Sequence, residues 1–228
     1  MEKHPSDIQV IKTSDGSSTL YNKNLDETYH SSHGAITESR HVFLKEGIEF
    51  FLQRQPKKIS VLEVGFGTGL NALLTLEFAK KHSIEMKYVT LEPFPVSESL
   101  VKELNYPEYF ESEELRQAFY QLHELPWDKE HSPESNFYFK KVNAPLLEYS
   151  EEGCFDVVYY DAFAPRKQPE MWELDNLQKT FDLCNPQGIL VTYCSNGQFK
   201  RNLKAVGYKV EGIPGPPGKR EMTRAYKL

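Results

Sequence analysis

The segment from Val61 to Gly69, Val-Leu-Glu-Val-Gly-Phe-Gly-Thr-Gly, constrains the fold of this chain more than any other. An apolar run that begins near Lys58 leads into glycines at every second position, and a helical pattern follows from Leu70 to Lys81. That order reads as a buried strand, a tight turn and a helix. Glycines in the turn take positive φ and let a ligand approach the backbone. The dinucleotide fingerprint G-x-G-x-x-G needs a third glycine at position 70, where the chain has Leu70. A nicotinamide or flavin site is therefore disfavoured, and a generic glycine turn of an α/β protein is the plain alternative.

The rest of the chain fits that opening. Its 228 residues suit one α/β domain with decorations. Strands are predicted at 58–64, 86–92, 136–142, 155–161, 188–195, 207–213 and 222–228, with helices at 70–82, 95–104, 111–123, 172–184 and 197–206. The alternation predicts a seven-stranded, mostly parallel sheet covered on both faces, a Rossmann-like fold. Residues 1–55 are read as an extension capping the site. They comprise a β-hairpin over 7–22 around Asp15-Gly16, a polar loop from Tyr29 to Glu38, and a helix opened by Thr37; residues 56–228 form the main unit. Cys154, Cys184 and Cys194 are widely spaced, so neither zinc nor disulfides are expected. No segment is apolar enough to span a bilayer, and a cytoplasmic protein is the simplest placement. The net charge is -6, but residues 161–228 carry 11 Lys and Arg against 7 Asp and Glu, and the remainder 16 against 26. A weakly basic face on an acidic chain fits an RNA partner only loosely.

In such sheets the ligand lies outside the carboxyl ends of the strands, so the residues ending each strand are the candidates. Glu92 ends the second strand and suits the two hydroxyls of a ribose; its alternative is a helix-capping acid. Asn143 ends the third and matches an adenine edge, or is a turn residue. Asp161 ends the fourth, in Asp-Ala-Phe-Ala-Pro165, where it either faces a reacting group or bonds nearby backbone. An alkyl amine is mostly protonated at neutral pH, and a carboxylate there can accept its N–H bonds and orient its lone pair. Phe163 would border the site and pack on a base. Trp127 and Trp172 read as core, the basic residues Lys200, Arg201 and Lys204 as a solvated helix face, and His33 and His41 as loop or surface residues.

The pattern acid-x-G-x-G-x-G resembles the first motif of S-adenosylmethionine-dependent methyltransferases, and Asp-Ala-Phe-Ala-Pro is similar to the Asp/Asn-Pro-Pro-Tyr/Phe motif of amino methyltransferases. Four segments together resemble the MnmC family of tRNA wobble-uridine modification enzymes, whose stand-alone methyltransferase form is called MnmD. These are Leu25 to Tyr29 with Gly34 to Leu44, Glu63 to Asn71, Asp161 to Trp172, and Gly218 to Met222. The resemblance implies a class I methyltransferase fold using S-adenosylmethionine, with methyl transfer to the exocyclic amine of 5-aminomethyluridine, with or without 2-thiolation, at the tRNA wobble position. By carry-over, Glu63, Gly65, Phe66, Gly67, Gly69, Asn71, Glu92 and Asn143 would hold the cofactor, with Tyr29 over it and Asp161 facing the amine. Glu38 and Phe163 would meet the substrate, and Arg166, Lys167, Lys219 and Arg220 would contact RNA phosphates. The length leaves no room for the flavin oxidase of two-domain members, so no flavin is expected; methyl transfer needs no metal, and no DNA or membrane partner is expected. A small-molecule amine methyltransferase and a non-catalytic cofactor-binding module are the rival readings.

Overall fold

The computed structural model describes residues 7–150 and 155–228, so Cys154 lies outside the described residues. Its main sheet has eight strands: β4 (Lys58–Val64), β5 (Glu85–Leu91), β6 (Glu130–Glu134), β7 (Phe137–Val142), β8 (Phe155–Tyr160), β9 (Cys184–Thr192), β10 (Lys209–Pro214) and β11 (Glu221–Tyr226), in the order β10-β11-β9-β8-β4-β5-β7-β6. The five central strands from β9 to β7 run parallel; β11, β10 and β6 are antiparallel to their neighbours. The order reverses between β4 and β8, which is where such sheets open a crevice. Seven strands were expected and the eighth is β6. Its sequence, Glu-His-Ser-Pro-Glu, carries proline and charge, which suit an edge strand and hide it from pattern reading.

The sheet is buried on both faces because its central strands lack polar alternation. Val61, Tyr88, Tyr159 and Val191 belong to one apolar cluster, and their neighbours Leu62, Val89, Val158 and Leu190 to the other. The first face is covered by a helix over 35–52 (α1), by α2 (Leu70–His82) and by α4 (Glu113–Glu124); the short helix α3 is Glu98–Glu103. The second is covered by α5 (Leu174–Leu183) and α6 (Gly197–Ala205), the latter capped by Asn196, whose side chain accepts from the Gln198 and Phe199 amides. Helix ends thus lie within a few residues of the sequence expectation.

The amino-terminal segment divides into two parts. Strands β1 (Ile8–Lys12), β2 (Ser18–Asn22) and β3 (Glu27–Thr28) form a small separate sheet around the expected Asp15-Gly16 turn. Helix α1 instead belongs to the layer on the main sheet: a Cβ on Gly47 would stand 3.2 Å from both Tyr159 and Val191. Its middle, Arg40–Glu49, is wound as a π-helix, a local geometry that hydrophobic periodicity does not reveal. Asp15 in the hairpin turn accepts from the Thr37 amide and hydroxyl at 3.2 and 2.8 Å and so locks the small sheet to the start of α1.

Candidate active site

Four strand ends, those of β4, β5, β7 and β8, are stitched together at the crevice. The Gly65 amide donates to Leu91 O at 2.9 Å, Asp161 N–H to Val64 O at 3.0 Å, and Glu92 N–H to Val142 O at 3.0 Å. Gly65 is required there: its φ is +99°, and a Cβ would meet the Asp161 carbonyl oxygen at 2.6 Å. Gly67 and Gly69 also take positive φ, as the turn reading expects. The bend opens into a cavity of about 1060 Å³, lined by the glycine turn, the ends of β5 and β8, residues 144–148, and residues 25–32 of the small sheet and its loop.

Asp161 stands on the floor of this cavity. Its Oδ2 accepts from Asn71 Nδ2 at 2.9 Å. Burial, and then the Glu38 charge, push its carboxyl up to about 7, against the opposing pull of Asn71 and Lys219. Its position is set by aromatic donors that clamp the loop following β8. Trp172 Nε1 donates to Phe163 O at 2.8 Å, Tyr193 OH to Ala162 O at 2.8 Å, and Tyr160 OH to Met171 O. Trp172 is core, as expected, but it also holds this loop.

Glu92 lines the wall at the end of β5. Its Oε2 accepts from the Gly67 amide at 3.0 Å and its Oε1 from the Phe94 amide at 2.8 Å. These two bonds fix the direction of the carboxylate, a geometry suited to the two hydroxyls of a diol. Beyond it, Phe94 and Leu147, each 53% exposed, form an apolar rim. Tyr29 roofs the turn, its ring 3.2 Å from where a Gly67 Cβ would stand, and packs edge-on against Phe163 with centroids 4.9 Å apart.

Glu38, from α1, is buried within the wall; its Oε2 accepts from the Ser31 amide at 2.6 Å and its Oε1 from Lys219 Nζ at 2.7 Å. Lys219 also lies 3.9 Å over the Tyr193 ring. This lysine is thus turned into the cavity, on a loop held by His41 against Pro214 O at 3.0 Å and by His33 packed on Gly218. Lys167 lines the wall, 3.5 Å from Asp26. Arg166 is 75% exposed, paired with Glu27 and not part of the wall, while Arg220 is exposed beside a shallow surface pocket with Ser195.

Other expected cofactor residues lie off the wall or turn their side chains from it. Glu63 is fully buried behind it. Gly69 sits under His123, and the Phe66 ring packs into the core on His123, Trp127 and Phe139. Asn143 is exposed and donates to Glu92 O at 2.9 Å, as a turn residue would. Sequence reasoning missed Tyr193, which follows the end of β9 and was open to the same strand-end logic.

The wall carries six carboxylates, Glu27, Glu38, Glu92, Glu148, Asp161 and Glu170, against two lysines, Lys167 and Lys219. Such a cavity favours cationic ligands. Among the described residues no group of His, Cys, Asp and Glu has the geometry of a metal site, and no helix is long and apolar enough to cross a membrane.

A family model described as S-adenosyl-L-methionine-dependent methyltransferase matches residues 112–228. The chain belongs to that family. This methyltransferase is 30% identical over 238 residues to the tRNA 5-methylaminomethyl-2-thiouridine biosynthesis bifunctional protein MnmC of Pseudoalteromonas atlantica, covering 93% of the chain and 33% of that protein. A protein of the same description from Leptospira interrogans is 29% identical, with 90% and 33% covered. The methyltransferase thus spans about a third of the length of the curated relatives it matches. Among solved structures, MNMC2 from Aquifex aeolicus superposes with a TM-score of 0.79 at 27% identity, over 96% of this chain and 70% of that one. Spermidine synthase from Thermotoga maritima, at TM-score 0.57, 14% identity and 96% and 68% coverage, shares the fold alone.

The residues present fit S-adenosylmethionine. The cavity stands at the upper end of the ~300–1,000 Å³ typical of a small-molecule site, large enough for the cofactor. Glu92 offers acceptors for a ribose, the glycine turn allows close approach, and the acidic wall suits a sulfonium.

Proposed function

We propose that this methyltransferase transfers a methyl group to the exocyclic amine of 5-aminomethyluridine, with or without 2-thiolation, at the wobble position of tRNA. The observation that carries the reading is Asp161, an immobilised carboxylate on the floor of an acidic cavity beside the glycine turn. The names of the MnmC relatives and of the Aquifex structure support the tRNA amine as acceptor.

When bound, S-adenosylmethionine supplies an electrophilic methyl group. Glu92 and the backbone of Gly65 to Gly67 would hold it, with Tyr29 closing over it and Phe94 and Leu147 flanking its base. The acceptor amine enters protonated, since alkyl amines titrate near lysine. Asp161 takes one proton and releases it to solvent through the open cavity; its carboxylate then accepts a remaining N–H bond, which turns the nitrogen lone pair toward the methyl carbon. The lone pair so directed would displace the methyl carbon from sulfur, the S–C bonding pair remaining on the sulfur. Asp161 and Glu38 then balance the charge of the methylated ammonium. Alignment of this kind contributes several of the ~7–11 kcal/mol available from positioning. Phe163 would pack on the uracil ring.

On the RNA side, Lys219 is engaged with Glu38 inside the cavity and Lys167 pairs with the exposed Asp26, while Arg166, paired with Glu27, and Arg220 are exposed cations that would meet phosphates. Weak, salt-sensitive RNA binding follows. Residues 7–34 act as a cap, and the protein works in the cytoplasm. The decisive experiment incubates tRNA with the protein and isotopically labelled cofactor, then analyses wobble nucleosides by mass spectrometry. Label in 5-methylaminomethyluridine supports the reading. Label in polyamines or other small amines, with none in tRNA, would replace it with a small-molecule acceptor.

A further inference from the structure

Glu63 is a buried ionisable group that the mechanism above leaves idle. It lies near the end of β4, is fully buried, and sits behind the cavity wall. Its carboxyl faces the Thr90 and Tyr88 hydroxyls of β5 and the Asn71 amide of α2, while Tyr159 and Asp161 approach from β8 and its end. Both carboxyl oxygens, both hydroxyls and Asn71 Oδ1 are buried with no hydrogen-bond partner at standard geometry.

Asn71 joins this cluster to the reaction site. Its Nδ2 donates to Asp161 Oδ2 at 2.9 Å, while its carbonyl oxygen is buried beside Glu63 with no donor of its own. An ionised Glu63 could give the orphaned Asn71 carbonyl no donor, and its buried charge would be met only by two neutral hydroxyls. A protonated Glu63 removes the conflict. Its O–H donates to Asn71 Oδ1, and the Thr90 and Tyr88 hydroxyls donate to its remaining lone pairs.

We propose that Glu63 is held as a neutral acid that orients Asn71, keeping the amide NH2 on Asp161 so that the Asp161 carboxylate is stabilised during methyl transfer. Every donor in the chain then points toward Asp161: Tyr88 and Thr90 to Glu63, Glu63 to Asn71, Asn71 to Asp161. Burial pushes the Glu63 carboxyl up to about 8, in keeping with this state. Glu63 is therefore a positioning residue acting through Asn71, not a cofactor ligand. The groups facing Asp161 that also tune it are Glu38 from α1, Lys219 from the loop before β11 and Tyr193 after β9.

Infrared difference spectroscopy tests the protonation state without any turnover. Wild-type protein at neutral pH should show a protonated-carboxyl stretch that Glu63→Gln removes and Asp161→Asn does not. The kinetic arm rests on the reading of Asp161 as the group at the acceptor. There, Glu63→Leu, which cannot donate to Asn71, should move the acid limb of the kcat/KM profile up by about one pH unit. Its adenosylhomocysteine affinity by calorimetry should stay near wild type, and Glu63→Gln, whose amide can donate, should restore the wild-type limb. The proposal is overturned if no carboxyl band is lost in Glu63→Gln, or if Glu63→Gln and Glu63→Leu both weaken adenosylhomocysteine binding about tenfold or more. The second outcome would make Glu63 an ionised cofactor ligand. If Glu63→Leu does not fold, the glutamine variant and the infrared band still decide. If wild-type protein methylates no tRNA amine, the proposed acceptor fails while the infrared result stands on its own.

Discussion

Replacing Asp161 by asparagine should make the protein more stable at neutral pH and less active, and the two effects should separate with pH. The Asp161 carboxyl is raised from 3.8 to about 7, by burial first and by the Glu38 charge second. A carboxyl with a raised value binds its proton more tightly in the folded chain than in the unfolded one. Ionising it therefore costs stability: the cost is absent below the unfolded value of 3.8 and fully present above about 7. Roughly three pH units at about 1.36 kcal/mol each set an upper bound near 4 kcal/mol. A carboxylate on the floor of an open cavity is partly screened by water, which leaves about 2 kcal/mol. For a chain of this size that corresponds to a rise in Tm of about 4–8 °C. Asparagine has nearly the same shape and can still accept from Asn71 Nδ2. Scanning calorimetry of both proteins at about pH 8 should show this gain. At about pH 5 it should shrink to less than half, since wild-type Asp161 is then mostly protonated in the folded state. Turnover of the variant should fall by about 10²–10⁴-fold, the range for losing a positioned acid–base group. Equal gains at both pH values, or a loss of stability at pH 8, would show that Asp161 is not a destabilised carboxylate and would remove the physical basis of its role.

Two further outcomes follow from the same cavity. Glu92→Ala removes an acceptor that ties the Gly67 and Phe94 amides and would meet the ribose, so adenosylhomocysteine affinity by calorimetry should drop by about 1.5–3 kcal/mol, with tRNA binding little changed; unchanged cofactor affinity would assign the ribose elsewhere. Gly65→Ala puts a methyl group 2.6 Å from the Asp161 carbonyl oxygen at a φ of +99°, so it should cost at least ~1–3 kcal/mol in denaturant unfolding and displace Asp161; a variant with wild-type stability and turnover would mean the turn is not under that constraint.

Much of the architecture was legible because its signals are local. Glycines at 65, 67 and 69 take the positive φ that their spacing suggests, and Val157 to Tyr160 run without polar alternation because that strand is covered on both faces. The edge strand Glu130–Glu134 was not legible, since an edge needs neither apolar alternation nor freedom from proline. Nor was the π-wound middle of α1, whose widened turn has no composition cue. Among site residues, Asp161 and Glu92 could be named from their places at strand ends, but the directions of their neighbours could not. Phe66 follows the first glycine of the turn, yet its ring faces His123 and Trp127 in the core. Lys219 sits in a glycine- and proline-rich loop that reads as exposed, yet its ammonium lies inside on Glu38 and Tyr193.

The sequence by itself determined the strand-turn-helix unit, the alternation that builds a parallel sheet, and the acids that end its strands, because strand periodicity and glycine dihedrals act within a few residues. Only the tertiary structure decided which of those acids share a cavity and in what protonation state. The Asp161 carboxyl is raised by burial and then by Glu38, more than a hundred residues away in the chain, and is drawn back by Asn71 and Lys219. Glu63 lies two residues before Gly65 but is sealed behind the wall against Thr90 and Tyr88. Burial and electrostatic neighbourhood are properties of surfaces brought together by the fold, and no spacing along a chain encodes them.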